Sequence, residues 1–344
     1  MIWLTWRQFR SSAAIVLGAL VVGVFALAVT GPQLADLLRD SGEDFFTRLS
    51  TDGTKKAVYL AGTALAYAVP GVVGVFWGAP MVARELESGT HRLVWNQSIT
   101  RSRWLASKLG IAALGAALAG CIGLVLTWWS RPLDEAVLRG YTDNGPYSAP
   151  RLWPEVFSTH GVVPIGMTVL ALVIGVSAGL VVRRAVAAMA LTLATVVAVQ
   201  VLTPMLVQPR LMTPETMTTA ITSENLRGFM MSGDENAADP QIVVEVASGQ
   251  VGAWVTENRT LDPDGRPVAY LPAWAKACAP DPRAVSAEVD ACFLKLADEG
   301  YRQQVKYHPA SRFWALQWRE TGLLLVLAAG LTGFCFWRIR RDFT

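Results

Sequence analysis

Apolar residues in this chain gather in runs far longer than a soluble helix or strand requires. A bilayer core takes about 20 apolar residues per helix, and an Arg, Lys or Asp at mid-span costs roughly 2.5–3.5 kcal/mol, so long windows without charge mark candidate spans. Six such windows occur, at residues 11–35, 57–83, 109–130, 161–182, 185–208 and 321–337. Only Arg183 and Arg184 part the fourth from the fifth. One helix through both would run about 70 Å against a core of about 30 Å, so the pair is expected to form a tight hairpin. The first window exceeds the about 7–15 apolar residues of a signal peptide and reads as a retained helix.

The polar segments set the expected orientation, because Lys and Arg near span ends stay cytoplasmic. One set of short segments carries Arg7, Arg10, Arg84, Arg92, Arg101, Arg103, Lys108, Arg183, Arg184, Arg338, Arg340 and Arg341, against only Glu85, Glu87 and Asp342. The opposite set balances its basic residues with acids such as Asp36, Asp40, Asp52, Asp134 and Glu155. The fold class expected is an all-α polytopic membrane protein with six transmembrane helices and both termini cytoplasmic, plus a small mixed α/β extracellular domain between helices five and six. The division is 1–208 for five helices with a cytoplasmic loop at 84–104, 209–312 for the extracellular domain, and 313–344 for the last helix and tail. Within the domain, strand-like runs stand at 242–246 and 251–255 and a helix pattern at 286–296, punctuated by turn signals.

Composition agrees with a membrane chain: of 344 residues, 52% are hydrophobic and 17% charged, and the mean hydropathy is +0.35, where soluble domains carry about a quarter charged residues. A net charge of +3 without a dense basic tract argues against a nucleic-acid partner. The four cysteines and three histidines form no metal-ligand spacing. Cys278 and Cys292 share the outer segment, where disulfides are permitted, and are expected to pair. His91, His160 and His308 are scattered and read as interfacial rather than catalytic. No Walker A pattern is present, so ATP chemistry is not expected of this chain, and no catalytic residue stands out. Its glycine-rich stretches at 71–78 and 110–123 suit close helix approach, and Pro70, Pro80, Pro164 and Pro204 are candidate kinks.

No span is expected to hold an isolated Asp, Glu, Lys or His near its middle, which argues against a proton- or sodium-coupled carrier. Mild polar groups such as Thr63, Tyr67, Thr168 and Gln200 suit an amphipathic or lipid-like substrate.

The loop between the second and third windows concentrates charge. Gly89 is placed to end the second helix in the left-handed conformation, Thr90 to cap a short helix through about Gln97, and Thr100 to cap the third span. Two readings of that short helix stand side by side: an interfacial anchor with Trp95 and Trp104 at headgroup level, or a docking element.

The run Arg84-Glu85-Leu86-Glu87-Ser88-Gly89-Thr90, followed by Ser98-Ile99-Thr100-Arg101 and by Lys108, resembles the cytoplasmic coupling segment of ABC transporter permeases of the ABC-2 type. The opening Met1-Ile2-Trp3-Leu4-Thr5-Trp6-Arg7-Gln8-Phe9-Arg10 and the stretch from Tyr307 to Glu320 resemble actinobacterial members. The resemblance implies a bacterial plasma-membrane half-transporter in which two permease subunits, identical or different, form the path. A separate ABC ATPase subunit, which binds the ATP and Mg, docks on the loop through Arg84, Glu85, Glu87, Gly89, Thr90, Arg92, Trp95 and Arg101. Many relatives carry only short re-entrant helices where this chain inserts about 100 residues, so an assembly that transmits motion to the outer domain for signalling is the alternative.

Overall fold

The computed structural model of the protein describes residues 2–89, 100–141, 146–232, 241–279 and 286–341. The chain divides into two units: Met1–Leu211 with Phe313–Thr344, and the inserted Met212–Arg312. In the first unit six helices are long and apolar enough to cross a membrane: Ala14–Thr51, Gly53–Glu87, Arg101–Trp129, Val163–Val182, Ala185–Arg210 and Ala310–Arg341. Most extend beyond their charge-free windows, because the end turns of a spanning helix reach past the hydrocarbon and tolerate charge.

That extension brings two buried charged residues inside the helices, neither of them near the middle of its span. Lys108 stands two turns inside the third span and is 6% exposed, and Glu320 stands inside the sixth and is 2% exposed. A window defined by freedom from charge excludes both by construction.

The fourth span is the hub: 67% of its apolar window is buried, against 22% in the fifth and sixth. Small residues let its neighbours reach its backbone, as close packing in lipid requires. A Cβ on Gly74 would come within 2.7 Å of the Ala171 carbonyl oxygen, and one on Gly120 within 2.5 Å of Ile165 Cα. After Val182 the chain turns at Arg183, whose φ of 58° is left-handed, and the fifth span starts at Ala185. The expected hairpin is thus made by one left-handed arginine.

Two spans contain π-helical segments among the described residues. The second contains a π-helical segment at Val73–Gly78, just after Pro70, and the fifth one at Thr203–Val207, containing Pro204. Pro164 is no kink. It occupies the first turn of the fourth span, where its missing N–H removes no helical hydrogen bond.

The second unit has its own core. Strands β1 (Glu215–Ala220), β2 (Leu226–Ser232), β3 (Gln241–Val246), β4 (Trp254–Leu261), β5 (Pro267–Val268) and β6 (Arg302–His308) form an antiparallel sheet ordered β1-β6-β4-β5 and a separate β2-β3 pair. The strand expected at 251–255 begins only at Trp254, because Gly249 (φ 67°) and Gly252 (φ 72°) turn the chain first. Buried Gln303 joins the two sheets: its Nε2 donates to the Val244 carbonyl and to Asn258 Oδ1, each at 2.9 Å, and its Oε1 accepts from Thr260 Oγ1 at 3.0 Å. Helix Ser286–Asp298 supplies Phe293 and Leu296 to a core with Ile242, Val244 and Tyr307. A disulfide joins Cys292 on this helix to Cys278.

Two of the three histidines are packed inside the protein just ahead of a span, the fourth for His160 and the sixth for His308. His308 is fully buried and stacks on Trp254 with ring centroids 5.6 Å apart, and His160 is buried beside Val156. His91 lies outside the described residues.

Candidate functional site

The charged loop is anchored at both ends by backbone geometry. The second span closes when the Ser88 N–H donates to the Arg84 carbonyl at 3.0 Å, and Gly89 follows at φ 71°. A Cβ on Gly89 would touch nothing within 4 Å, so its glycine answers a conformational need rather than a steric one. The third span opens at Thr100, which is extended and accepts from the Arg103 N–H at 3.4 Å through its hydroxyl. Thr90, Arg92 and Trp95, with the expected short helix, lie outside the described residues.

Glu85 and Lys108 form an ion pair between the second and third spans. The Lys108 ammonium also faces the Met81 carbonyl at 3.5 Å and lies 4.7 Å from the centre of the buried Trp104 ring. A charge this deep is tolerable only with such partners. Two residues on, Glu87 Oε2 accepts from the Ala185 N–H at 3.0 Å. A carboxylate there satisfies an orphan donor and meets the positive end of the fifth helix. Arg340 Nε donates to Ser102 Oγ at 3.2 Å, tying the sixth span to the start of the third.

The loop's two ends are therefore fastened to the second, third, fifth and sixth spans. Of the residues singled out in the sequence, Glu85 and Glu87 carry two of these ties, and Arg84 is exposed beside them. Arg101 is the first residue of the third span. Lys108, Ala185, Ser102 and Arg340 were not identified as their partners, because contacts between spans depend on rotational register that no single helix reveals. Among the described residues the arrangement brings no nucleophile and base together. It is a junction at which contacts from four helices converge beside the two ends of the loop.

At the other end of the same helices Gln317 performs a similar task. Its Oε1 accepts from the N–H groups of Val162 and Val163 at 2.9 and 3.0 Å, and its Nε2 donates to the Phe157 carbonyl at 2.9 Å. The sixth span thereby caps the fourth. Gly161 (φ 69°) leaves room for it: a Cβ there would overlap the Gln317 side chain.

The sequence signature of the ABC-2 membrane transporter related family matches residues 17–208. That stretch holds five spans and the anchored loop and ends before the Met212–Arg312 unit. No curated protein and no solved structure matches the chain. With its family match covering more than half the sequence and six helices able to cross a membrane, the chain belongs to the ABC-2 membrane transporter related family, as a multi-pass permease of the plasma membrane.

Proposed function

We propose that this chain is the permease subunit of an ATP-driven exporter, worked by a separate ABC ATPase subunit that docks on the loop at 84–104. The observation that carries this reading is the junction itself. Glu85 to Lys108, Glu87 to Ala185 and Arg340 to Ser102 give a load applied at the loop a direct route into four spans. A lipid anchor needs no such route. Two permease subunits, identical or different, form the path, and ATP and Mg belong to the ATPase. The termini and the loop are cytoplasmic, since Arg84, Arg101, Arg183, Arg184 and Arg340 gather at the ends of the spans that these ties connect. Met212–Arg312 is extracellular, which its disulfide supports. The mild polarity of the spans suits an amphipathic or lipid-like substrate.

A second reading, an assembly that transmits motion to the outer unit without carrying a substrate, is supported by one observation: the family match stops where that unit begins. Purification of the tagged permease in mild detergent tests the first step common to both. Recovery of a stoichiometric subunit bearing a Walker A motif is expected. A permease that elutes alone from gently solubilised native membranes contradicts it. Substrate-dependent ATP turnover in sealed vesicles, with accumulation of the substrate, then separates export from signalling.

A further inference from the structure

Glu320 is buried in the sixth span, and its Oε2 has no hydrogen-bond partner among the described residues. An unpartnered carboxylate oxygen at such depth is costly unless a proton or a cation joins it. The residue lines a cleft with Tyr67, Pro164, Gln200, Thr203 and Pro204, and no Lys, Arg or His is among the lining residues. Roughly 27 Å of helix at 1.5 Å per residue separates Glu320 from Arg338, so the carboxyl lies near the edge of the hydrocarbon layer farther from the charged loop.

The backbone around the cleft is irregular on one side, where Thr203 and Pro204 belong to the π-helical segment of the fifth span; on the second span Pro70 lines the cleft just ahead of that span's π-helical segment. Such segments recur at functional sites because they widen the helix and redirect its carbonyls. Across the cleft Gln200 Nε2 donates to the Tyr67 carbonyl at 2.9 Å, while the Tyr67 hydroxyl donates to the Glu155 carbonyl at 2.9 Å. The free volume is about 20 Å³, room for about one water or one ammonium group. Apolar Met167 and Leu324 also line the cleft, with Ala66, Val163 and the hydroxyl-bearing Ser158.

We infer that this cleft binds the protonated amine of an amphipathic ligand, with Glu320 as counter-ion and the apolar walls holding the adjacent hydrocarbon. A bare metal ion fits less well, since Glu320 is the one carboxylate among the lining residues and the other oxygens there are neutral. The Tyr67 ring offers a cation a second favourable surface. The site lies away from the 84–104 loop and depends on the transporter reading only in being called a substrate site. Binding itself requires neither ATP nor an ATPase.

The test uses the full-length permease in phosphatidylcholine nanodiscs without ATPase. Dicyclohexylcarbodiimide, which adds to membrane-buried carboxyls, is applied, and modification of the Glu320 peptide is read by mass spectrometry. N,N-dimethyldodecylamine, a cation at neutral pH, and 1-dodecanol, its neutral counterpart in chain length, are the competing probes. The amine is expected to lower Glu320 modification about tenfold, as one charge-assisted contact allows, while the alcohol leaves it unchanged. Gln200→Leu should keep the modification and weaken the amine's protection. Equal protection by both probes, no protection by the amine, or a Glu320 that the carbodiimide never reaches would each overturn the proposal. Loss of ATPase docking in a separate experiment would leave it standing.

Discussion

The carboxylate of Glu87, at the end of the second span, accepts a hydrogen bond from the backbone N–H of Ala185, the first residue of the fifth span, at 3.0 Å. Residues 98 positions apart are thus joined where a docked ATPase would push. Glu87→Ala removes a cap worth about 1 kcal/mol, too little to unfold a six-helix unit. The expected outcome is a normally inserted permease that retains the ATPase but shows reduced permease-dependent ATP turnover, measured in the purified complex. Glu87→Asp, which keeps the charge, should recover part of it.

The Glu85–Lys108 pair gives a sharper thermodynamic contrast. Removing one member leaves the other buried without its counter-charge, and such losses cost about 3–5 kcal/mol. Lys108→Met and Glu85→Gln should therefore each lower the thermal midpoint of the detergent-solubilised permease by several degrees. The double variant should be milder than their sum, and strict additivity in that double-mutant cycle would show that the pair is not coupled.

His160 supplies a pH dependence. Its Nδ1 is bonded to the Val156 carbonyl at 2.7 Å while its Nε2 is buried without a hydrogen-bond partner among the described residues. Burial therefore pulls its pKa from 6.5 down to about 4. Between those values the unfolded chain binds the proton and the folded one does not, so the contribution is complete above pH 6.5 and is lost as pH falls toward 4. The loss amounts to roughly 3 kcal/mol. His160→Asn keeps a donor near the Nδ1 position and cannot titrate. Thermal midpoints at pH 7.5 and pH 5 should differ more for the wild type than for the variant.

The Cys278–Cys292 disulfide closes a short loop in the outer unit. In the chain-entropy picture such a loop is worth about 3 kcal/mol. Cys278→Ser with Cys292→Ser should raise proteolytic cleavage within Met212–Arg312 and leave the membrane unit's thermal midpoint unchanged. A matching fall in both would show that the two units unfold together.

Much of this architecture was legible in the sequence, for identifiable reasons. Hydrocarbon length and the cost of embedded charge located all six spans, and Arg183-Arg184 marked the hairpin. Gly89 was legible because left-handed backbone at a helix end favours glycine so strongly. The pairing of two cysteines in one polar segment followed from the same kind of elimination. What escaped was whatever depends on packing. Lys108 and Glu320 looked like boundary residues because their own flanks are polar, and only the neighbouring helices bury them. Gln317 carried no signal at all, since its three hydrogen bonds go to Phe157, Val162 and Val163, far away in sequence. The strand expected at 251–255 failed for a local reason: Gly252 interrupts an alternating pattern that does not resume until Trp254.

The central claim is that an ATPase subunit docks on the loop whose entry Gly89 shapes. Gly89→Val tests it most directly. A β-branched residue resists φ 71° while meeting no steric obstacle, so the variant should insert and dimerise normally while presenting a misdirected loop. The measurement is the ratio of ATPase to permease subunit recovered by affinity purification from membranes, compared with wild type at equal permease yield. A clear fall in that ratio is expected. An unchanged ratio together with unchanged permease-dependent ATP turnover would contradict the docking account and return the loop to a lipid anchor.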